Sequence, residues 1–234
     1  MITIKDWQMN KEAWLDQDFS LMTSDAGWKE SKQKNGMGIW KQAFSDDKND
    51  LFRWKIPNVD ANHREVFEVF THKMIDYHHY WTAEYTGGFL VKEIDDNTQI
   101  IYQQFNPNRP FISKRDLLYI QWSRKIDDQT LQTSFRSIVL DTLPVPTGFE
   151  RIDWWGAHLF AANADGTSQL VLIDRENQGG YFPSFLMNKV MPTYLIHQFE
   201  SIIHFFKKGG TAAHEKLSDA KNTALQFKYS LTDI

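Results

Sequence analysis

The chain has 234 residues, a formal net charge of −4 and no cysteine. That excludes disulfides and thiolate metal sites, and it gives no basic footprint for nucleic acid. Its aromatic fraction is 15%, with 17 Phe, 9 Trp and 8 Tyr, a composition that suits a thick core or an apolar pocket without separating the two.

Residues 1–27 are polar with isolated aromatics, and a short helix is expected near Lys11–Asp18. "MITIKDWQMNKEAW" lacks the basic start and apolar middle of a secretory leader. No apolar run reaches the ~18 residues that cross a bilayer. The expected compartment is cytoplasmic, or periplasmic if a leader has been removed. Three strands are predicted next, in "WKESKQ", "GMGIWKQAF" and "LFRWKIP", separated by Gly, Asn and Asp turn signals. Val66, Phe67, Phe70, Met74 and Tyr77 then recur at helical spacing, which predicts a helix over 62–76 capped by Asn62, with Glu65 three residues on.

Six strands are predicted after it: "GFLVKEID", "TQIIYQQF", "RDLLYIQWSRKID", "TLQTSFRSIVLD", "FERIDWWGAHLFAANAD" and "TSQLVLIDREN". The breaks between them are short and read as antiparallel hairpins. Beyond "NQGGYFP" the helical period returns. Leu186, Val190, Met191, Leu195, Phe199, Ile202, Ile203 and Phe206 form a long apolar face that Gly209-Gly210 terminates. Pro192 inside it removes a backbone hydrogen bond and invites a kink. Residues 211–234 are polar and read as one weak helix. The order gives an α+β chain, a curved antiparallel sheet of about nine strands with a long C-terminal helix against one face.

The stretch "FNPNRPFISKRDLLYIQW" at 105–122 raises the question of faces. Adjacent strand residues point oppositely, so Arg115 and Asp116 do not share a face. Leu117, Tyr119 and Gln121 lie on one side and Leu118, Ile120 and Trp122 on the other, and pattern alone does not choose the inward set. "WWGAHLF" divides likewise into Trp155, Ala157, Leu159 and Trp154, Gly156, His158, Phe160. Arg136 is the cation available to a phosphate. His72, Asp76, His78 and His79 cluster in sequence but are expected at an exposed helix end, without a metal. No Gly-x-Ser-x-Gly marks a nucleophile.

The element order and two local motifs resemble the START family of lipid-transfer domains, in a bacterial-type, single-domain form. One motif is Pro107, Pro110, Arg115, Asp116 and "LLYIQW". The other is "NQGGYFPSFLMNKVMP", where Gly180, Pro183, Leu186, Asn188 and Pro192 match and Asn177 replaces the usual Asp. The resemblance implies a helix-grip fold over residues 25–208, preceded by a helical extension 1–24 and followed by a polar tail 209–234. It implies structural roles for Arg115, Asp116, Gly180 and Pro183. It also favours the Leu117, Tyr119, Gln121 face as inward.

Sterol-binding members carry a buried Arg six residues after the Arg of the pair, partnered by an acid on the preceding strand. Here those places hold Gln121 and Tyr102 or Gln103, so the ion pair is missing. The expected ligand-contacting set is Tyr102, Gln104, Leu117, Tyr119, Gln121, Arg136 and Trp155 from the sheet, with Met191, Tyr194, Leu195, Phe199 and Ile202 from the roofing helix.

The function implied is binding of a lipid or other apolar small molecule, with transfer as a further step open to it. The chain would act as a monomer without a cofactor or a nucleic-acid partner. The proline-flanked "LPVPTGF" at 143–149 would touch membranes transiently. The alternative is a helix-grip hydrolase or cyclase acting on a hydrophobic substrate. A lipocalin-type barrel, hinted at by "GIW" at 38–40, is opposed by the helix at 62–76 and by chain length.

Overall fold

The computed structural model describes residues 1–43, 49–108, 112–179 and 184–217, with side chains at 184–188 and 190 outside the description. The expected structural residues Gly180 and Pro183, and Pro110, fall outside these residues.

The chain opens with helix α1 (Ile4–Thr23), longer than the short helix expected near Lys11–Asp18. Thr3 caps it in a reciprocal box with Asp6. Strands β1 (Lys29–Lys34), β2 (Met37–Gln42) and β3 (Leu51–Val59) follow. Helix α2 (His63–Phe70) starts where Asn62 accepts hydrogen bonds from the Arg64 and Glu65 amides, as its side chain predicts. It stops six residues early. Lys73 N bonds to Glu68 O, which opens a wide turn, and Thr71 Oγ1 turns back to Phe67 O. Helix α3 (Met74–Tyr77) and a 3₁₀ turn (His78–Tyr80) complete this corner.

The remaining strands are β4 (Tyr85–Asp95), β5 (Thr98–Phe105), β6 (Lys114–Asp127), β7 (Thr130–Ser137), β8 (Phe149–Arg151), β9 (Asp153–Ala162) and β10 (Ser168–Asn177). Helix α4 spans Ser184–Lys207, with Pro192 inside it. Gly209, at φ 104°, ends the helix in the left-handed conformation that glycine adopts without steric cost.

The sheet is a curved, open, ten-stranded one with the order β1-β2-β3-β10-β9-β7-β6-β5-β4, and β8 adds to β6 in parallel. Every other pairing is antiparallel. The edges β1 and β4 do not meet, which distinguishes it from a closed lipocalin-type barrel. The tenth strand is the three-residue β8, whose pairing the proline-rich sequence before it does not announce.

Strand alternation gives the sheet two covered faces. The convex face takes α1. Trp7 and Leu15 pack with Phe89, Tyr102, Leu118, Ile120 and Trp122, while Met22 packs with Trp155, Ala157, Val171 and Ile173. Ile2 adds a bridge to Ile138. Sheet side chains also reach the helix backbone: Trp122 Nε1 donates to Lys11 O at 3.3 Å and Gln132 Nε2 to Leu15 O at 2.7 Å.

The concave face takes α2, α3 and α4. Phe67 and Phe70 of α2 meet Phe160 and His158 of β9 edge-on. Phe199 of α4 lies 5.3 Å from Trp54 of β3, ring centre to ring centre. Met191, Leu195, Ile196, Phe199, Ile202, Phe205 and Phe206 are the buried stripe of α4.

Candidate ligand-binding face

The concave surface of β5, β6, β7 and β9 lies between the regions that α2, α3 and α4 cover. Register fixes which side chains it presents. Leu117 pairs with Gln103, Tyr119 with Ile101, and Gln121 with Gln99 and Phe135. Trp154, Gly156 and His158 of β9 share this face. Phe135 stacks on Trp154 at 3.7 Å and meets His158 at 5.0 Å.

Gly156 is what permits that stack. A Cβ there would lie 2.5 Å from Phe135 Cζ and 2.4 Å from Ile173 O. Of the residues expected to contact a ligand, Leu117, Tyr119 and Gln121 lie on this face. Met191, Leu195, Phe199 and Ile202 are buried in the same concave core, with half-buried Tyr194 against it.

Four other expected positions point the other way. Tyr102 packs with Trp7 and Leu15 under α1, and Gln104 Nε2 donates to Tyr102 Oη at 2.8 Å beside it. Trp155 packs with Met22. Arg136 is on the convex face as well, boxed by Trp14, Trp122 and Trp155 with its guanidinium 5.5, 5.7 and 4.7 Å from their ring centres.

The physical reason is the buried carboxylate of Asp18 on α1, both of whose oxygens accept from Arg136 Nη2, at 2.8 and 3.0 Å, while Nη1 donates to the Phe135 and Gly156 carbonyls. Arg136 is therefore a structural cation and is not placed to meet a ligand phosphate on the concave face. For Trp155, the pattern "WWGAHLF" offered two faces, and the inward tryptophan is Trp154.

Arg115 and Asp116 do not bond to each other. Asp116, fully buried, takes Arg151 Nη2 at 2.5 Å and Nε at 3.2 Å. Arg115 shares the parity of Leu117, and its Nη1 donates to Ser113 O at 2.7 Å.

The polar groups of the concave face are unusual in two ways. First, several buried atoms have no hydrogen-bond partner, among them Tyr119 Oη, His158 Nδ1, His78 Nδ1 and both ends of the Gln103 amide. Buried polar atoms are normally satisfied, so each exception calls for an account.

Second, burial shifts the face's histidines, tyrosines and acids towards their neutral forms. Burial presses the His78 and His158 imidazoles down to about 3, and it raises the Tyr85 and Tyr119 phenols. On β10, burial lifts Asp174 well above the carboxylate range, and repulsion from Glu176 adds to this. Burial lifts Glu176 to about 7, with Gln178 pulling the other way. Trp154 Nε1 donates to Asp174 Oδ1 at 2.5 Å.

Sequence reading did not single out Trp154, Asp174 and Glu176 as ligand-facing, and it left Gln103 as an alternative to Tyr102 for the neutral partner of Gln121. The alternation on β9 and β10 held the signal, once one inward residue was known. The expected histidine cluster does not converge. His78 is stacked on Tyr85 at 4.8 Å, and Asp76 bridges Lys216 at 2.8 Å. Among the described residues no three His, Cys, Asp or Glu side chains are placed to hold a metal.

A long C-terminal helix gripped by a curved antiparallel sheet defines a helix-grip protein. Within that class, the fold is the one found in START lipid-transfer domains. Human StAR-related lipid transfer protein 5 superposes with a TM-score of 0.75 over 86% of this chain and 96% of that one, at 18% identity. Human STARD10 gives 0.72 over 82% and 80%, at 14% identity. A STAR-related lipid transfer protein fragment from Xanthomonas axonopodis gives 0.67 over 77% and 99%, at 20% identity. At these identities the likeness is one of fold.

By sequence, the Arabidopsis thaliana protein ENHANCED DISEASE RESISTANCE 2-like is 26% identical over 200 residues, 78% of this chain. The chain spans 28% of that relative's length. No family model matches the chain.

Proposed function

We propose that the protein binds a lipid or another apolar small molecule between the concave face and α4, and carries it without chemical change. The observation that carries this reading is the concave face itself. It is aromatic and aliphatic, and it holds a few buried polar atoms with no protein partner, which is the composition of a small-molecule site. The likeness in fold to lipid-transfer domains supports it. Sequestering an acyl chain or ring system there would gain on the order of 0.8 kcal/mol per buried CH₂.

A non-catalytic role is supported by the two buried histidines. An imidazole pressed down to about 3 is a poor general base near neutrality. We propose that entry requires α4 to shift, and that the loop before β8 approaches the membrane. Val145 in that loop is 46% exposed, while Leu143 is buried and anchors it.

The test is extraction. Incubated with vesicles carrying fluorescent lipids and then separated from them by flotation, the protein should retain labelled lipid in a stoichiometric amount. Protein that returns unlabelled from every lipid class contradicts carriage.

A further inference from the structure

Three of the residues with unpartnered atoms, His78, Gln103 and Tyr119, come from neighbouring elements at one part of the concave face. Gln103, fully buried on β5, approaches His78 from the 3₁₀ turn without forming a bond of good geometry. His78 stacks on Tyr85, whose Oη donates to Ile75 O at 3.0 Å and so is fixed in place. Gly88 opposite Gln103 leaves the room in which these groups meet. A Cβ there would stand 3.0 Å from Tyr85 Oη and 3.1 Å from Gln103 Cγ. Tyr119, 1% exposed, lies one strand over, near enough for its phenol to bear on that of Tyr85. Its ring rests edge-on against Trp154 at 5.1 Å.

We propose that His78, Gln103 and Tyr119 form a neutral head-group subsite, which selects apolar ligands ending in an uncharged hydroxyl or amide over those ending in a carboxylate or phosphate. This rests on the carrier reading and deepens it.

Charge and hydrogen-bonding capacity both favour an uncharged head. A ligand hydroxyl or amide both donates and accepts, and Gln103 and Tyr119 each offer both roles. All three side chains are uncharged at neutral pH, so none repays the desolvation of a ligand anion. Of the two arginines that the sequence offers nearby, one is on the opposite face and the other stands at the start of its strand. Arg136 is on the opposite face with Asp18. Arg115 lies opposite Phe105 at the start of β6, at the end of the concave face, with its Nη1 on Ser113 O, its charge facing Glu150 and its Nε without a partner. Across the sheet the acids Asp174 and Glu176 would repel an anion once ionised.

The experiment uses three probes with one fluorescent hydrocarbon chain, ending in a primary alcohol, a primary amide or a carboxylate, titrated into the whole protein at pH 8. The alcohol and the amide should bind at least about tenfold more tightly than the carboxylate, since an anion here lacks charged partners. Tyr119→Phe should weaken the alcohol about five- to tenfold, the scale of one neutral hydrogen bond. It should leave the melting temperature unchanged or raised, because the lost hydroxyl has no partner in the protein. Gln103→Leu provides a second variant read the same way.

Carboxylate binding as tight as alcohol binding would overturn the subsite and leave carriage standing. So would a Tyr119→Phe variant that melts lower yet binds the alcohol unchanged, which would make the hydroxyl structural. Failure of all three probes to bind would remove the carrier reading and the subsite with it.

Discussion

Arg136 of β7 and Asp18 of α1 form a two-pronged ion pair, 2.8 and 3.0 Å, with the carboxylate wholly buried and the guanidinium walled by three tryptophans. The pair fastens α1 to the convex face, where Arg53 does the same for the helix end through Asp25 at 2.7 Å. Asp18→Ala should therefore destabilise the protein by about 3–5 kcal/mol in urea unfolding, because a buried arginine is left without its carboxylate. The double replacement Asp18→Leu with Arg136→Met should cost less than that single one. Since both residues are remote from the concave face, the double variant should bind apolar ligands as the parent does. A binding loss in a folded double variant would place Arg136 in the site after all.

Gly156 lies where Phe135 comes down on Trp154. Gly156→Ala puts a methyl group 2.4 Å from a backbone oxygen of the neighbouring strand, and that oxygen has nowhere to go. Overpacking of this kind costs about 3 kcal/mol, or about 6–12 °C in melting temperature for a domain of this size. Near-UV circular dichroism should lose intensity with the stack.

The acids of β10 set a pH dependence. Both bind their protons more tightly folded than unfolded, since burial raises Asp174 and lifts Glu176 from 4.5 to about 7. Their stabilising effect is therefore full at low pH and is lost as pH rises from the unfolded value towards 7. Thermal unfolding from pH 5 to pH 8 should show a falling melting temperature. Glu176→Gln, which stays neutral throughout, should flatten that decline. An equal slope in the variant would mean that Glu176 titrates normally.

Much of the fold was legible because its signals are local. Asn62 capped α2 as its side chain predicts, Gly209 stopped α4, and β4, β5, β6, β7, β9 and β10 fell in the expected order, with β8 split from the segment read as one strand with β9. What the sequence hid were choices settled by distant partners. The buried side of α1 includes a charged residue, Asp18, so the helix did not read as amphipathic until its arginine 118 positions away was known. Tyr102 and Trp155 carry side chains suited to either face of a sheet covered on both. Only the register against α1 assigns them outward, and that same register turns Gln103 and Trp154 inward. The break at Thr71–Lys73 follows from an irregular backbone turn for which no Gly or Pro gives notice.

The measurement that bears most directly on the central claim is native mass spectrometry of the protein as purified from cells, followed by organic extraction of whatever it holds. The account predicts a one-to-one adduct that extracts as an apolar molecule with an uncharged hydroxyl or amide head. A protein of bare polypeptide mass that also takes up no fluorescent fatty acid, sterol or phospholipid would contradict carriage on the concave face.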